Sequence, residues 1–258
     1  MLKIWQEVHL MDKVMVELEN VSLNYHTVKG ETEAIKNVSF NVYEGEFVGV
    51  IGPSGCGKST LLSIIAGLLK PSGGSIKVNG KVGYMLQRDH LFEWRNIMQN
   101  VLLGLEIQNA VNDESIRHVE GLLERYGLAE FKYHYPNQIS GGMRQRAALI
   151  RTLALKPDIM LLDEAFSALD YQTRLAISDE VWSILKGVKK TAIIVTHDIS
   201  EAIAMCDRIV VLSNRPAVVK SVHEIHLTCD NRSPIGCRKA PEFRDYFNEI
   251  WKELDVHV

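Results

Sequence analysis

The stretch Gly52-Pro53-Ser54-Gly55-Cys56-Gly57-Lys58-Ser59-Thr60 constrains this chain more than any other part of it. It follows the apolar run Phe47–Ile51, which suits a strand buried on both faces. It precedes apolar residues at helical spacing over 60–69, which Lys70-Pro71 and Gly73-Gly74 bring to a stop. Strand, glycine-rich loop and helix in that order match G-x-x-x-x-G-K-[ST] in the context where its mechanism operates. The glycines let the backbone curl until several N–H groups point inward, and the helix beyond adds positive potential, so residues 52–60 are expected to cradle the phosphates of a nucleotide. Lys58 is expected to reach the β- and γ-phosphates, and the Ser59 hydroxyl to bind Mg2+. Cys56 lies at the start of that helix, where positive potential favours the thiolate, and is expected to be reactive.

The rest of the chain supplies an α/β frame for this loop. Strands are expected over 14–23, 35–42, 75–78, 159–162 and 192–196, and helices over 116–126, 142–155, 169–186, 199–205 and 242–254. Strands and helices alternating after 159 indicate βα units on a mostly parallel sheet, whereas 89–155 reads as a helical insertion. The tail from Ser213 reads as less regular, with prolines at 216, 234 and 241. A balance of 29 basic and 32 acidic residues leaves a net charge of −3, with no basic region to neutralise a run of nucleic-acid phosphates. The apolar runs are a few residues long, and a membrane-spanning helix needs about 20. Cys56, Cys206, Cys229 and Cys237 show neither C-x-x-C pairing nor ligand-like spacing, which points to a reducing compartment.

Two further segments carry chemistry. The run Ile159-Met160-Leu161-Leu162 ends in Asp163-Glu164, placing two carboxylates at the C-terminal edge of the sheet, where α/β proteins bind ligands. Asp163 is suited to hold Mg2+, and Glu164 to polarise a water attacking the γ-phosphate. Between this pair and the glycine loop, Ser140-Gly141-Gly142-Met143-Arg144-Gln145 opens a long helix whose first N–H groups are suited to bind a phosphate.

Ser-Gly-Gly-x-x-Gln between a phosphate loop and an acidic pair resembles the signature motif of ABC-transporter ATPases, with Asp163-Glu164 as the Walker B pair. The resemblance runs from about Val14 to the end of the chain. It implies that Tyr25 stacks on adenine, that Gln87 is the Q-loop glutamine and a magnesium sensor, that Ser167-Ala168-Leu169-Asp170 is the D-loop, and that His197 is the switch histidine near the γ-phosphate. The implied fold is a P-loop NTPase core with a mainly parallel sheet, an antiparallel β subdomain and a helical subdomain over about 88–157. One ATPase domain would then cover 14–258, with 1–13 as an N-terminal extension of no assigned role.

The implied activity is hydrolysis of ATP with Mg2+ in a head-to-tail pair. The loop of one copy faces Ser140, Gly141, Gly142 and Gln145 of the other, and a two-fold axis closes both sites. The stretch 87–95, the Ser-Gly-Gly-Met-Arg-Gln-Arg run and Asn214-Arg215-Pro216 resemble the nitrate, sulfonate and taurine importer subfamily, which includes transporters of vitamin precursors; Glu93 stands where that subfamily usually has proline. That implies a peripheral subunit on the cytoplasmic face of the membrane, docked on an integral permease and served indirectly by a solute-binding protein. In this reading Phe92 and Trp94 line a groove for the permease. An exporter ATPase and a soluble non-transport ABC ATPase are the rival readings.

Overall fold

The computed structural model describes residues 13–27, 30–167, 169–229 and 232–254. Its centre is a six-stranded sheet made of β3 (Phe47–Ile51), β5 (Val82–Met85), β6 (Ile159–Asp163), β7 (Thr191–Val195), β8 (Arg208–Leu212) and β9 (Val219–Glu224), in the order β5-β6-β7-β3-β8-β9. All neighbours run parallel except β9, which is antiparallel to β8. Side chains alternate between the faces of a strand. Val48, Val50, Ile159, Leu161, Ile193 and Val195 therefore enter one apolar cluster, and Phe47, Ile51, Met160, Leu162, Ala192 and Ile194 the other. Burial on both faces is why these strands read as unbroken apolar runs.

The first cluster is closed by helix α1 (Lys58–Ile65) and an antiparallel sheet of β1 (Val14–Thr27), β2 (Gly30–Tyr43) and β4 (Gly73–Val78), ordered β2-β1-β4. The second is closed by helices. Three of them, α2 (Ile97–Ile107), α3 (Asp113–Arg125) and α4 (Gly141–Leu153), lie in sequence between β5 and β6. Then follow α5 (Tyr171–Gly187), α6 (Ile199–Met205), α7 (Pro234–Cys237) and α8 (Phe243–Leu254). Side-chain caps set several helix starts: Asn96 accepts from the Gln99 N–H, Asn112 from Ser115, Ser140 from Met143, Asp170 from Thr173 and Asp198 from Glu201.

The structure departs from the sequence pattern in several places, four of which bear on the site or the core. Helix α1 ends at Ile65 instead of running to 69, because Gly67 takes φ +73°, with its N–H on the Ile64 carbonyl and the Leu68 N–H on the Ser63 carbonyl. The apolar pair Leu68-Leu69 had extended the helical pattern past this stop. Strand β9 forms in the tail read as irregular, its half-polar sequence being that of an edge strand paired on one side only. The four residues of β5 are too few to show a period. Cys229 and Cys237, unremarkable in spacing, lie with their sulfurs 3.5 Å apart because α7 folds back on the segment after β9. Residues 1–12 of the expected extension lie outside the described residues.

A buried ion pair joins the turn after β2 to β8. Arg208 donates through Nε to Glu46 Oε1 at 2.7 Å and through a terminal nitrogen to Oε2 at 2.9 Å and to the Asn41 carbonyl at 2.6 Å. Removing one partner of such a pair strands a buried charge and costs about 3–5 kcal/mol. Arg208→Met is therefore expected to lose about that much stability in urea unfolding. Adding Glu46→Met should restore a large part of it, and equal loss in the single and double variants would show that the charge pair is not the cause.

Candidate nucleotide-binding and hydrolysis site

The loops leaving the C-terminal ends of β3, β6 and β7 share one edge of the sheet, since β7 pairs with both β3 and β6 and Asp163 stands opposite Val195. The first of these loops carries Gly52 to Thr60. Gly55 and Gly57 take φ +72° and +127°, backbone that only glycine adopts without strain. The Cys56 N–H closes the turn on the Pro53 carbonyl. Lys58 Nζ folds back across the loop and donates to the carbonyls of Gly52 at 2.7 Å and Pro53 at 3.0 Å. Its ammonium is thus held by carbonyls internal to the loop.

The structure overturns the expectation for Cys56. Its side chain is 1% exposed, and a Cβ on Gly52 would lie 3.0 Å from its sulfur, so the thiol packs beneath the loop. Burial pushes the thiol up from its ordinary value, and the nearby Lys58 ammonium only partly offsets this. Desolvation of the anion outweighs the potential of the helix start.

Ser59 and Asp163, 104 residues apart, meet with Ser59 Oγ donating to Asp163 Oδ1 at 3.1 Å. The other oxygen, Oδ2, accepts from the Tyr84 hydroxyl at 3.1 Å. Burial raises the Asp163 carboxyl, and these two hydrogen bonds pull it back. Burial, and then the charge of Asp163, push the Tyr84 phenol up to about 12. Hard oxygen donors on a serine and a carboxylate at the mouth of a glycine cradle fit Mg2+. Tyr84 was missed from sequence. The available signal was a phenol on the short strand three residues before Gln87, but its partner appears only once β5 pairs with β6.

Gln87, Glu164 and His197 converge. Gln87 Nε2 donates to Glu164 Oε2 at 2.9 Å, and His197 Nδ1 lies 3.4 Å from the same oxygen. Glu164 takes φ +45°, a costly conformation for a residue with a side chain, and its N–H is held by the Val195 carbonyl at 2.8 Å. That turn lifts Glu164 off the line of β6 and aims it at the loop after β7. Tyr25, exposed on β1, bonds through its hydroxyl to Thr60 Oγ1 at 3.2 Å, which brings its ring beside the start of α1.

Comparison with known proteins identifies the family. A family model described as ABC transporter matches residues 35–167. The chain is 46% identical to the ABC transporter ATP-binding protein YtlC of Bacillus subtilis over 93% of this chain and 95% of that protein. The chain belongs to the ABC transporter family. The nitrate import ATP-binding protein NrtD of Synechocystis is 36% identical over 91% of this chain and 94% of its own length, and the taurine import ATP-binding protein TauB of Ruegeria pomeroyi 39% identical over 81% and 82%. The solved structure of the ATP-binding cassette MJ0796, dimeric and bound to ADP and Pi, superposes with a TM-score of 0.73 at 33% identity, covering 82% of this chain and 99% of that one. This chain is accordingly an ABC ATPase.

Within this ABC ATPase the signature segment lies apart from the phosphate loop: among the described residues no hydrogen bond or ion pair joins Ser140, Gly141 or Gly142 to 52–60. Gln145 corrects the sequence reading. It is 4% exposed and donates to the Ala165 carbonyl, so it faces inward and ties α4 to the loop after β6 instead of meeting a second copy. Asp170 caps α5 and is held below the usual carboxylate range by its hydrogen bonds with Thr173; Ala168 of the same segment lies outside the described residues. Arg174, also missed from sequence, donates to the Leu169 carbonyl at 2.9 Å and approaches Asp198 at 3.6 Å, linking the segment before α5 to the residue after His197.

The segment after Gln87 is clamped to α4: Arg151 donates to the carbonyls of Asp89 and His90 at 2.6 and 2.8 Å, and Arg144 to the Asp89 carboxylate at 3.2 Å. Buried Asn100 closes the next turn by accepting from the Phe92 N–H and donating to the carbonyls of Phe92, Arg95 and Asn96. Phe92 and Trp94 stack at 4.8 Å on its outside, with Trp94 74% exposed. No helix among the described residues is long and apolar enough to cross a membrane.

The burial of Cys56 gives a checkable outcome. An acid whose folded pKa is raised stabilises the fold below its unfolded pKa, and that contribution is lost as pH rises through the folded value. At pH 7.5 iodoacetamide is expected to label Cys56 only after unfolding, and labelling should accelerate only on the alkaline side of 9.0. Peptide mapping that found Cys56 alkylated in native protein at the rate of a free thiol would show that the loop opens.

Proposed function

We propose that the chain is the ATP-hydrolysing subunit of an importer for a small solute of the nitrate, sulfonate, taurine or vitamin-precursor type. The observation carrying the catalytic part is the convergence of Gln87 and His197 on one oxygen of Glu164, beside the Ser59–Asp163 pair at the same sheet edge. The kinship with NrtD and TauB, named for nitrate and taurine import, supports the importer part.

In this reading residues 52–60 bind the phosphates of ATP, Tyr25 stacks on the adenine, and Lys58 exchanges its bonds to the Gly52 and Pro53 carbonyls for phosphate oxygens. Ser59 and Asp163, with Gln87 as sensor, would hold Mg2+, which neutralises charge on the β- and γ-phosphates. Glu164 takes a proton from the attacking water as the water oxygen bonds to the γ-phosphorus and the bond from that phosphorus to the β–γ bridging oxygen breaks, leaving ADP and inorganic phosphate. His197 and Gln87 fix the Glu164 carboxylate, and His197 hydrogen-bonds the γ-phosphate.

Ser140, Gly141 and Gly142 act in trans, meeting ATP on the loop of a second copy in a head-to-tail dimer, with Asp170 at the same interface. The segment of about 88–157 acts as a helical subdomain within a single ATPase domain over 14–258. Its Phe92–Trp94 face docks an integral permease, which places the subunit on the cytoplasmic side of the membrane and links it indirectly to a solute-binding protein.

Two experiments test this. Glu164→Gln is expected to keep ATP binding while turnover in the assembled complex falls by about 10²–10⁴; hydrolysis at the wild-type rate would remove Glu164 from the base role. Replacing Phe92 and Trp94 together with alanine is expected to leave ATP affinity and, given their exposure, the melting temperature nearly unchanged. Loss of two aromatic anchors should weaken co-purification with the cognate permease by about a hundredfold or more. Intact permease binding by the folded double variant would sink the docking assignment.

A further inference from the structure

The edge strand β5 and the loop after it supply a donor to each carboxylate of the acidic pair. Gln87 donates to Glu164, and Tyr84 donates to Asp163. Tyr84 stands opposite Leu161, two residues before Asp163 on the same face of the sheet, so its ring spans the distance of two strand residues and brings the hydroxyl to Oδ2. The Asp163 carboxylate is thus held from both sides, by α1 through Ser59 and by β5 through Tyr84.

We propose that Tyr84 is a positioning residue of the hydrolysis reaction: its hydroxyl fixes the plane of the Asp163 carboxylate so that Oδ1 stays turned toward Ser59. The inference rests on the reading above that Ser59 and Asp163 form the magnesium site. The terminal torsion of an aspartate is broad, so a contact at Oδ1 alone, from Ser59 or from the metal, leaves the plane free to swing and a second contact at Oδ2 is needed to fix it. Ser59 cannot be the lasting restraint, because its hydroxyl is itself assigned to the metal. That leaves Tyr84 as the donor that keeps its bond to Asp163 throughout. Partners that orient a metal-binding carboxylate in this way commonly change metal affinity 10–100-fold when removed.

Tyr84→Phe removes one oxygen and keeps the ring. The test measures nucleotide affinity of the full chain with a non-hydrolysable ATP analogue, with and without Mn2+, together with the electron paramagnetic resonance spectrum of the bound Mn2+. Tyr84→Phe is expected to leave the metal-free affinity unchanged, to reduce the gain in affinity on adding Mn2+ by about tenfold, and to broaden the spectrum. Ser59→Ala is the reference. If Ser59→Ala reduces that gain and Tyr84→Phe leaves it within twofold, the positioning role is overturned while the magnesium site stands. If neither variant changes it, the magnesium site and the role of Tyr84 fail together. A lower melting temperature for Tyr84→Phe with an unaltered gain assigns the phenol to packing and likewise overturns the proposal. Should Tyr84→Phe prove unstable, Tyr84→Met fills the same space without a donor and is read in the same way.

Discussion

Strand β3 is sealed from water on both faces, with helix α1 and the three-stranded sheet on one side and the helical layer on the other. Fully burying each large apolar side chain of such a strand is worth about 1.5–3 kcal/mol, so its depth and register are strongly fixed. The position of Gly52 follows from that of Ile51, and the start of α1 follows from the curl that Gly55 and Gly57 permit. Because β7 lies between β3 and β6, the same constraint brings Glu164 and His197 to the rim where the phosphate loop begins. The chemistry depends on three buried strands ending level with one another.

On this rigid edge sits a network of polar groups in a partly dry setting, where each hydrogen bond counts for more than it would in water. Asp163 has a donor on each oxygen, and Glu164 takes Gln87 and His197 on the same one. The Lys58 ammonium is satisfied by two neutral loop carbonyls, which on the proposed reading charged phosphate oxygens would replace. The strained turn at Glu164 is held by the Val195 carbonyl. Farther out, Arg144, Arg151 and Asn100 fix the segment after Gln87 to the helices. Arg174 makes a comparable tie between the segment before α5 and the loop of His197.

What was legible in the sequence is what contiguous residues encode. The phosphate loop, the acidic pair, the Ser-Gly-Gly helix start and the buried strands are each written in neighbouring residues, because local backbone conformation and strand periodicity depend on close neighbours. The ends of elements were less legible where a left-handed glycine overrode an apolar run, as at Gly67, or where an edge strand carried a half-polar sequence, as in β9. Side-chain direction was less legible still. Gln145 belongs to a motif that suggests an outward role, yet its place on α4 turns it to the Ala165 carbonyl, and Cys56 sits in a loop of favourable potential but beneath its surface.

The sequence by itself determined the strand, loop and helix that make a phosphate cradle and the class of chemistry that follows, since these rest on backbone geometry within a few residues. Only the tertiary structure decided which distant groups complete the site. Ser59 with Asp163 spans 104 residues, Tyr84 with Asp163 spans 79, and Gln87 with Glu164 spans 77. Such pairings are set by which strands lie side by side and in what register. That order follows from burying both faces of the sheet at once, a requirement of the whole chain that no local stretch of residues expresses.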